Sequence, residues 1–392
     1  MPTIALVAGE ASGDNLGAAL IEALRVHYPD ARFCGVAGPR MRAAGCEVFA
    51  DSEQLAVMGL TEIIQHLPRL LRLRRDLVSR FAALRPDVFI GIDAPEFNLS
   101  LERRLKSCGI RTVQYVSPQV WAWRQGRVRT MGRSCDLVLC LLPFETDFYL
   151  AHGVAAKFVG HPLADQFPLV PDRDAARREL GLQKSDTVVA ILPGSRISEV
   201  ARLGAPFAGA AAWLNARTPQ LRFVAPMVSP RIRELFAAQW ADCAPQVPLQ
   251  LLDGGARNAL AAADAVLVAS GTATLETLLS KRPMVVAYRL GAITAFVLQT
   301  LGLVKVRHFS QPNLLVGRAV VPEFFQGQVR PELLGAALQA ALGADQATRD
   351  LLSREFLQVH QELRCGGAAL AAAAVAALVL GRDVALTPAT SS

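Results

Sequence analysis

The sequence predicts an α/β protein made of two Rossmann-like domains whose parallel sheets face a cleft. Short, continuous apolar runs alternate with helical segments along the chain, a pattern typical of parallel strands that are buried on both faces. The alternation stops at 159–172, where Gly160, Pro162, Pro168 and Pro171 cluster, and then resumes. A length of 392 residues suits two such domains better than one.

The apolar runs place five strands in each half of the chain. In the first half they lie at 4–8, 31–36, 87–92, 111–116 and 137–141, with a helix at 16–28. In the second half they lie at 187–192, 222–225, 249–252, 265–269 and 284–288. We therefore expect domains at 1–165 and 166–345, terminal helices at 346–380 and a tail at 381–392. Ligands of open α/β sheets bind beyond the carboxyl ends of the strands, so the loops that follow strands are the candidate sites.

Composition limits the class of protein. Hydrophobic residues make up 52% of the chain and charged residues only 19%, which is enough apolar material for large cores. A net charge of +7 favours an anionic partner, although it also fits a mildly basic soluble protein. The seven cysteines are scattered, which indicates reduced thiols in a cytosolic protein. The chain starts on a strand without a signal-peptide pattern, and the alanine-rich run 366–380 is expected to be a packed terminal helix.

The loop after the first strand is rich in small residues. It reads Ala8-Gly-Glu-Ala-Ser-Gly-Asp14, and Glu10, Ser12 and Gly13 stand at the start of a helix, where backbone N–H groups bind anions or hydroxyls. The glycine spacing does not fit a dinucleotide fingerprint. A turn with only a structural role is the alternative.

Two carboxylates follow the strand at 87–92. Asp93 and Glu96 lie where acid–base residues of α/β enzymes are usually found, and a carboxylate there can accept the proton of an attacking hydroxyl. Asp93 is preferred because it is closer to the end of the strand. The alternative is that Asp93 only caps the following turn.

Aromatic and cationic residues follow the next strand. In the segment 117–124, Trp123 and Arg124 are suited to stack on a sugar and bind a phosphate. Trp121 and Trp123 could equally pack a loop, and the sequence leaves both interpretations open.

Loops of the second half predict a diphosphate site. Gly194, Ser195 and Arg196 form a glycine-rich turn into a helix, although Arg196 and Glu199 could simply form a surface ion pair. A second strand-to-helix turn carries a further set of candidates, of which the glutamate could hold ribose hydroxyls: Ser270, Gly271, Thr272 and Glu276. Plain helix capping is the alternative there. Asn313, in the loop 311–318, could contact a base or phosphate.

One helical segment has an apolar side rimmed by arginines. A new helix is expected to begin at Pro68. Such a face suits contact with anionic lipid, although most amphipathic helices only cover a sheet. The residues proposed for the surface are Ile63, Leu67, Leu70, Leu71 and Arg72.

These motifs together resemble the lipid-A-disaccharide synthase family. The likeness rests on the segments 7–14, 91–95, 115–124, 192–196 and 270–276, which occur in the family's order. It extends from about Ile4 to Cys365. Glu96 departs from the pattern, since family members often have aspartate there.

The resemblance implies a GT-B fold and an inverting glycosyltransferase. The donor would be UDP-2,3-diacylglucosamine and the acceptor 2,3-diacylglucosamine 1-phosphate, giving the β-1,6 disaccharide 1-phosphate and UDP. Asp93 would be the base, Arg196, Glu276 and Asn313 would contact UDP, and Glu10 and Ser12 would line the acceptor side. The enzyme would work on the cytoplasmic face of a Gram-negative-type inner membrane. A homodimer is one option, and the sequence leaves the oligomeric state open.

No cofactor, metal ion or nucleic acid is expected. Two other functions fit parts of the pattern. One is another UDP-N-acetylglucosamine enzyme of the same fold, and the other is a non-catalytic protein that binds anionic lipid.

Overall fold

The computed structural model describes residues 1–55, 60–118, 120–123, 125–291 and 308–381, with side chains except those of 60–66, 122–123 and 125. The chain forms two compact units. Unit 1 comprises Met1–Asp165 and the segment from Leu363 onward, and unit 2 comprises Gln166–Glu362. Each unit is built on its own parallel sheet, which confirms the predicted α/β class.

Unit 1 has a seven-stranded sheet in the order β3-β2-β1-β4-β5-β6-β7. The strands are β1 (Thr3–Ala8), β2 (Arg32–Ala37), β3 (Cys46–Asp51), β4 (Val88–Ile92), β5 (Arg111–Tyr115), β6 (Leu137–Cys140) and β7 (Ala156–Phe158). β1 lies inside the sheet, between β2 and β4, and is buried from Ile4 onward. The sequence missed β3 and β7, the two edge strands, because one is only partly buried and the other is three residues long.

Helices cover both faces of this sheet. The helices up to the unit boundary are α1 (Ala11–His27), α2 (Pro39–Ala43), α3 (Leu60–Leu84), α4 (Pro95–Ser107), α5 (Val120–Trp123), α6 (Val128–Ser134), α7 (Pro143–Leu150) and α8 (Pro162–Gln166). Leu20 and Leu24 of α1 pack on one face. Phe81 of α3 and Leu101 and Leu105 of α4 pack on the other.

The prediction that a new helix begins at Pro68 is wrong. α3 starts at Leu60 and continues through Pro68 to Leu84. Proline removes one helical N–H and so one backbone hydrogen bond. Burial of Leu77 and Phe81 in the core fixes the helix further along and offsets that loss.

Unit 2 has a six-stranded parallel sheet in the order β10-β9-β8-β11-β12-β13. Its strands are β8 (Thr187–Leu192), β9 (Leu221–Met227), β10 (Leu249–Asp253), β11 (Ala265–Ala269), β12 (Met284–Tyr288) and β13 (Glu323–Phe325). Its described helices are α9 (Arg173–Glu179), α10 (Ile197–Asn215), α11 (Pro230–Cys243), α12 (Ala256–Ala262), α13 (Thr272–Leu279), α14 (Gln311–Val316), α15 (Pro331–Gly343) and α16 (Gln346–Leu363). The core lies between this sheet and α10, α11 and α15.

The last helix, α17 (Gly367–Val379), belongs to unit 1. Its Ala371, Ala374 and Val375 are buried in the same core as α1, and Asp165 accepts hydrogen bonds from the N–H groups of Gly366 and Gly367, both at 3.0 Å. By length and composition, the stretch Gln346–Val379 could cross a membrane, and 39% of its most apolar window is buried. The alanine-rich run is thus a packed terminal helix, as the sequence predicts, and it packs on unit 1, which the sequence does not predict.

Candidate active site

The loops after β1, β4 and β5 meet at one edge of the unit 1 sheet, because these three strands are neighbours. Gly9 and Ala94 approach so closely that a Cβ on Gly9 would lie 2.7 Å from the Cβ of Ala94. The N–H of Asp93 donates to the carbonyl of Tyr115 at 2.8 Å. The structure therefore brings Glu10, Asp93 and the start of the tryptophan loop together.

Asp93 lies on a strained turn that the surrounding residues hold in place. Asp93 and Ala94 both have left-handed backbones, with φ of 53° and 42°, and such residues cost about 1–3 kcal/mol each. The carbonyl of Asp93 accepts hydrogen bonds from Asn98 Nδ2 at 2.8 Å and Gln114 Nε2 at 3.2 Å. The Asp93 side chain is half-buried, and its carboxylate accepts no hydrogen bond from the described residues. It is thus presented to a ligand with its acceptor oxygens available.

Glu96 is engaged elsewhere. Its two oxygens accept hydrogen bonds from the guanidinium of Arg127 at 2.8 and 2.9 Å. This hydrogen bonding is the main reason why the pKa of Arg127 is raised. A carboxylate held by both arms of an arginine is a weaker proton acceptor, so Asp93 is the better candidate of the two.

The loop after β1 divides into exposed and structural residues. Glu10 is the N-cap of α1 but makes no capping hydrogen bond, and it is exposed together with Ser12. Gly13 is buried, and a Cβ there would lie 3.6 Å from the carbonyl oxygen of Ile92. Glu10 and Ser12 can therefore contact a ligand, whereas Gly13 is buried against β4, where a Cβ would make only ordinary contacts.

Asp14 has a structural role that its sequence neighbours do not indicate. Its buried carboxylate accepts hydrogen bonds from the backbone N–H groups of Gly38, Arg40 and Met41 at 2.9, 2.8 and 3.0 Å. It therefore anchors the start of α2 beside the loop after β1. A bond between positions 24 to 27 residues apart leaves no local signal in the sequence.

The tryptophan loop is attached to a buried glutamate. Trp121 Nε1 donates to Glu145 Oε1 at 3.1 Å, and the Trp121 ring packs edge-on against Phe144 at 4.9 Å. The N–H of Leu142 donates to the other Glu145 oxygen at 3.2 Å. Trp121 thus packs the loop. The side chain of Trp123 and all of Arg124 lie outside the described residues, so their predicted contact with the acceptor stays a prediction.

Glu145 should make the stability of the protein depend on pH. Burial raises the pKa of its carboxyl to about 7, although the hydrogen bonds from Trp121 and Leu142 act in the opposite direction. The pKa of a glutamate in an unfolded chain is about 4.3. Between these values the folded protein binds more protons than the unfolded chain, so its free energy of unfolding falls as pH rises.

In the wild type, Glu145 should lower the free energy of unfolding by about 2–3 kcal/mol between pH 5 and pH 8. Glu145→Gln should lack this decrease. Urea unfolding at several pH values measures it. Glu96→Gln is the control, because it removes an exposed carboxylate of the same unit and leaves the buried one in place. If the profiles of Glu145→Gln and the wild type run parallel, the pKa of Glu145 is not raised.

In unit 2, the loop after β8 is held by Glu199. Its carboxylate accepts hydrogen bonds from the N–H groups of Ser195 and Arg196 at 2.9 and 3.2 Å. Gly194 has φ of 130°, and a Cβ there would lie 2.6 Å from the Cβ of Glu199. Only glycine fits this position without moving the loop. Two backbone donors predicted to bind a diphosphate are therefore already occupied in this structure.

The guanidinium of Arg196 is more accessible to a ligand than the backbone N–H groups that Glu199 occupies. It contacts Glu199 at 3.2 Å, and 73% of its side chain is exposed. The surface ion pair weighed as an alternative is thus present. It is a weak constraint, since exposed pairs contribute about 0–1 kcal/mol, and a bound anion could compete for the arginine.

The loop after β11 leaves its helix uncapped. Gly271 is the N-cap of α13 and provides no side-chain hydrogen bond, so the first N–H groups of the helix face outward beside the exposed Thr272. Ser270 donates to the carbonyl of Phe309 at 3.2 Å. Since β8 and β11 are neighbours, this helix start and Arg196 lie at the same edge of the sheet. That combination suits a diphosphate.

Glu276 lies one turn into α13 and is half-buried. Desolvation raises the pKa of its carboxyl, and the positive charge of Arg257 partly opposes this. Its carboxylate makes no hydrogen bond within the described residues. Two unused acceptor oxygens are what a pair of ribose hydroxyls requires.

Asn313 differs from its predicted role. Its side chain is buried, with Nδ2 donating to the carbonyl of Val321 at 2.9 Å. Its Oδ1 accepts from the N–H groups of Val320 and Val321 at 2.7 and 2.9 Å. As placed, it fixes the loop 318–321 and does not present a free edge to a base. Glu323 supports the same region by accepting from the N–H of Ser310 at 2.8 Å.

The arginine-rich helix leaves part of its apolar side uncovered. Leu67 and Leu71 of α3 are 44% and 39% exposed, Leu70 is half-buried, and Arg72 is exposed. The side chain of Ile63 lies outside the described residues. Within the described part of the chain, no three His, Cys, Asp or Glu side chains come together as a metal site would require.

The chain matches known proteins over nearly its whole length. A family described as lipid-A-disaccharide synthetase matches residues 4–375. A lipid-A-disaccharide synthase of Sodalis glossinidius is 54% identical over 377 residues, covering 96% of this chain and 98% of its own. One of Erwinia tasmaniensis is 53% identical over 373 residues, covering 95% and 97%.

Solved structures show the same fold at low sequence identity. A UDP-GlcNAc 2-epimerase of Neisseria meningitidis bound to UDP-GlcNAc is 12% identical, with a TM-score of 0.61 and coverage of 97% of this chain and 100% of its own. The glycotransferase of kitacinnamycin is 18% identical, also with a TM-score of 0.61, covering 95% and 98%. The neighbours include GT-B glycosyltransferases, which confirms that part of the predicted fold class.

Proposed function

The chain belongs to the lipid-A-disaccharide synthetase family of glycosyltransferases, and from that premise we propose that it joins two acylated glucosamines. It transfers 2,3-diacylglucosamine from UDP to the 6-hydroxyl of 2,3-diacylglucosamine 1-phosphate. The products are the β-1,6 disaccharide 1-phosphate and UDP. The observation that carries the proposal is Asp93, whose carboxylate is held on a strained strand-end turn with its oxygens available.

Asp93 acts as the general base on the acceptor. It takes the proton of the 6-hydroxyl while that oxygen attacks the anomeric carbon of the donor, and the bond from this carbon to the β-phosphate oxygen breaks. A single displacement of this kind inverts the anomeric configuration. Glu10 and Ser12 line the acceptor side, which is supported by their exposure next to Asp93. In this proposal residues 1–165 bind the acceptor.

Residues 166–345 bind the donor. Arg196 and the uncapped start of α13 at Gly271 and Thr272 stabilise the charge that builds on the β-phosphate. Glu276 accepts the ribose hydroxyls. Gly194 and Ser195 shape the loop, and Asn313 supports the site through the backbone of residues 320 and 321.

A direct assay tests the proposal. Purified protein is mixed with UDP-2,3-diacylglucosamine and 2,3-diacylglucosamine 1-phosphate, and UDP and the disaccharide are measured together. Equal amounts of both products support the transfer. UDP-N-acetylglucosamine without acyl chains is the control donor, since turnover of that compound alone would point to another UDP-sugar enzyme of this fold. Lack of both products would contradict the proposal.

We also propose that α3 rests on the cytoplasmic face of the inner membrane, where acylated sugars are found. The exposed leucines Leu67 and Leu71 beside Arg72 support this assignment. Changing both leucines to serine should weaken binding to anionic vesicles by about 10- to 100-fold. Full burial of such a side chain contributes about 1.5–3 kcal/mol, and only the exposed 44% of Leu67 and 39% of Leu71 can newly enter the lipid. Co-sedimentation with vesicles at low and high salt measures this.

Val26→Ser is the matched control for the membrane experiment. That valine is 81% exposed but lies on α1, so its loss should leave vesicle binding unchanged. Equal binding of the double-serine variant and the wild type would show that α3 does not contact lipid.

A further inference from the structure

A fully buried glutamate lies directly behind the Asp93 turn. Glu102 is on α4 with no exposed surface. A Cβ built on Gly91, in the strand that leads to Asp93, would lie 2.3 Å from Glu102 Oε1 and 3.0 Å from the Cγ of Asn98. The carboxyl of Glu102 is thus beside the carboxamide of Asn98, one helical turn away on the same helix.

The two carboxamides that hold Asp93 leave their oxygens without a partner. Asn98 and Gln114 both point their N–H groups at the carbonyl of Asp93, so their oxygens are directed elsewhere. Asn98 Oδ1 and Gln114 Oε1 are buried and accept no hydrogen bond from the described residues, and neither Glu102 oxygen has a partner there. Buried polar atoms are rarely left unpaired in folded proteins.

These buried oxygens all lack a hydrogen-bond donor, and an uncharged Glu102 can supply one. An ionised carboxylate only accepts hydrogen bonds and would add two more unpaired acceptors, whereas a protonated carboxyl supplies one O–H donor. We propose that Glu102 is protonated and is a positioning residue for the glycosyl transfer, donating to one of these carboxamide oxygens and so fixing the orientation that holds Asp93.

The electrostatic surroundings agree with a neutral carboxyl. Burial raises the pKa of Glu102 well above its usual value, and the negative charge of Asp136 adds to the effect. Asp136 is itself paired with Lys106 at 2.8 Å and accepts a hydrogen bond from the N–H of Thr112 at 2.8 Å.

This inference rests on the proposed role of Asp93, and two variants of Glu102 test it. Glu102→Gln keeps N–H donors in the same shape and should retain kcat within about 3-fold. Glu102→Met fills the space but cannot donate, and should lower kcat by about 10- to 100-fold, because small misplacements of a reacting group have effects of this size. The Kd for UDP should not change in either variant.

Gln239→Met in unit 2 is the matched control, since Gln239 Oε1 is also buried without a partner. It should keep the wild-type kcat. If Glu102→Met also does, Glu102 has no positioning role. If Glu102→Gln is as impaired as Glu102→Met, a carboxyl is required and the neutral role is wrong.

Infrared spectroscopy tests the protonation state without using activity. At pH 8 the difference spectrum of wild type minus Glu102→Gln should contain the C=O band of a protonated carboxylic acid. A carboxylate band in its place would overturn the inference. An active Asp93→Asn variant together with an impaired Glu102→Met variant would refute Asp93 as the base while leaving Glu102 as a support of the turn. An inactive Asp93→Asn variant together with a fully active Glu102→Met variant would support Asp93 as the base and refute the positioning role of Glu102.

Discussion

Replacing Asp93 with asparagine should lower kcat by about 10²–10⁴-fold, the range for a lost general base. The change removes the proton acceptor but keeps the shape of the side chain. The turn should persist, because Asn98 and Gln114 hold it through the Asp93 carbonyl. Asparagine also tolerates a left-handed backbone better than most residues. Affinity for UDP should therefore stay within about 2-fold, which isothermal titration calorimetry can measure beside the steady-state assay.

Glu96→Gln is the matched control for Asp93→Asn. It removes a carboxylate only three residues away, but one that is bound to Arg127 and is 77% exposed. Loss of such a surface pair costs at most about 1 kcal/mol of stability, and kcat should remain within about 3-fold of wild type. If Glu96→Gln loses turnover and Asp93→Asn keeps it, Glu96 is the base. If both keep wild-type turnover, neither carboxylate performs the proton transfer.

The central strands could be predicted from sequence because burial on both faces makes them continuous apolar runs. β1, β8 and β11 are of this kind. The edge strands β3 and β13 were missed because each is only partly buried and carries polar residues, such as Glu47 and Glu323. The return of α17 to unit 1 depends on packing between residues more than 300 positions apart, such as Tyr28 and Ala376, and no local pattern encodes it.

The residues of the candidate site that lie just after strands could be predicted from the sequence. Asp93, Arg196 and Gly271 were found because each lies within four residues of the end of a buried strand. The residues that hold the Asp93 turn, Asn98 and Gln114, were not predicted. Glu145 was not predicted either, because it acts on Trp121, 24 positions away. Nor does sequence show that Glu199 already occupies the backbone donors beside Arg196. Such partners depend on tertiary contacts, which the spacing of motifs does not contain.

Arg196→Ala should have the second large effect, lowering kcat/KM by about 10²–10³-fold. A positioned donor that stabilises charge on the leaving group typically contributes this much. In the free protein the side chain is 73% exposed and contacts only Glu199 among the described residues. The free energy of unfolding should therefore fall by less than about 1 kcal/mol. Arg196→Ala should thus lose activity while keeping most of its stability. Steady-state kinetics and urea unfolding together would measure this.

Arg233→Ala provides the comparison for this variant. Arg233 is also in unit 2 and forms a surface pair with Asp253 at 2.9 Å, so its removal takes away the same charge from the same unit. A general loss of positive charge would weaken UDP binding in both variants, and that effect would shrink at high salt. A direct contact with the diphosphate predicts a large loss in Arg196→Ala alone, and a matching loss in Arg233→Ala would contradict it. In the proposed mechanism the diphosphate replaces Glu199 as the partner of Arg196, so Glu199→Gln should not reproduce the defect of Arg196→Ala.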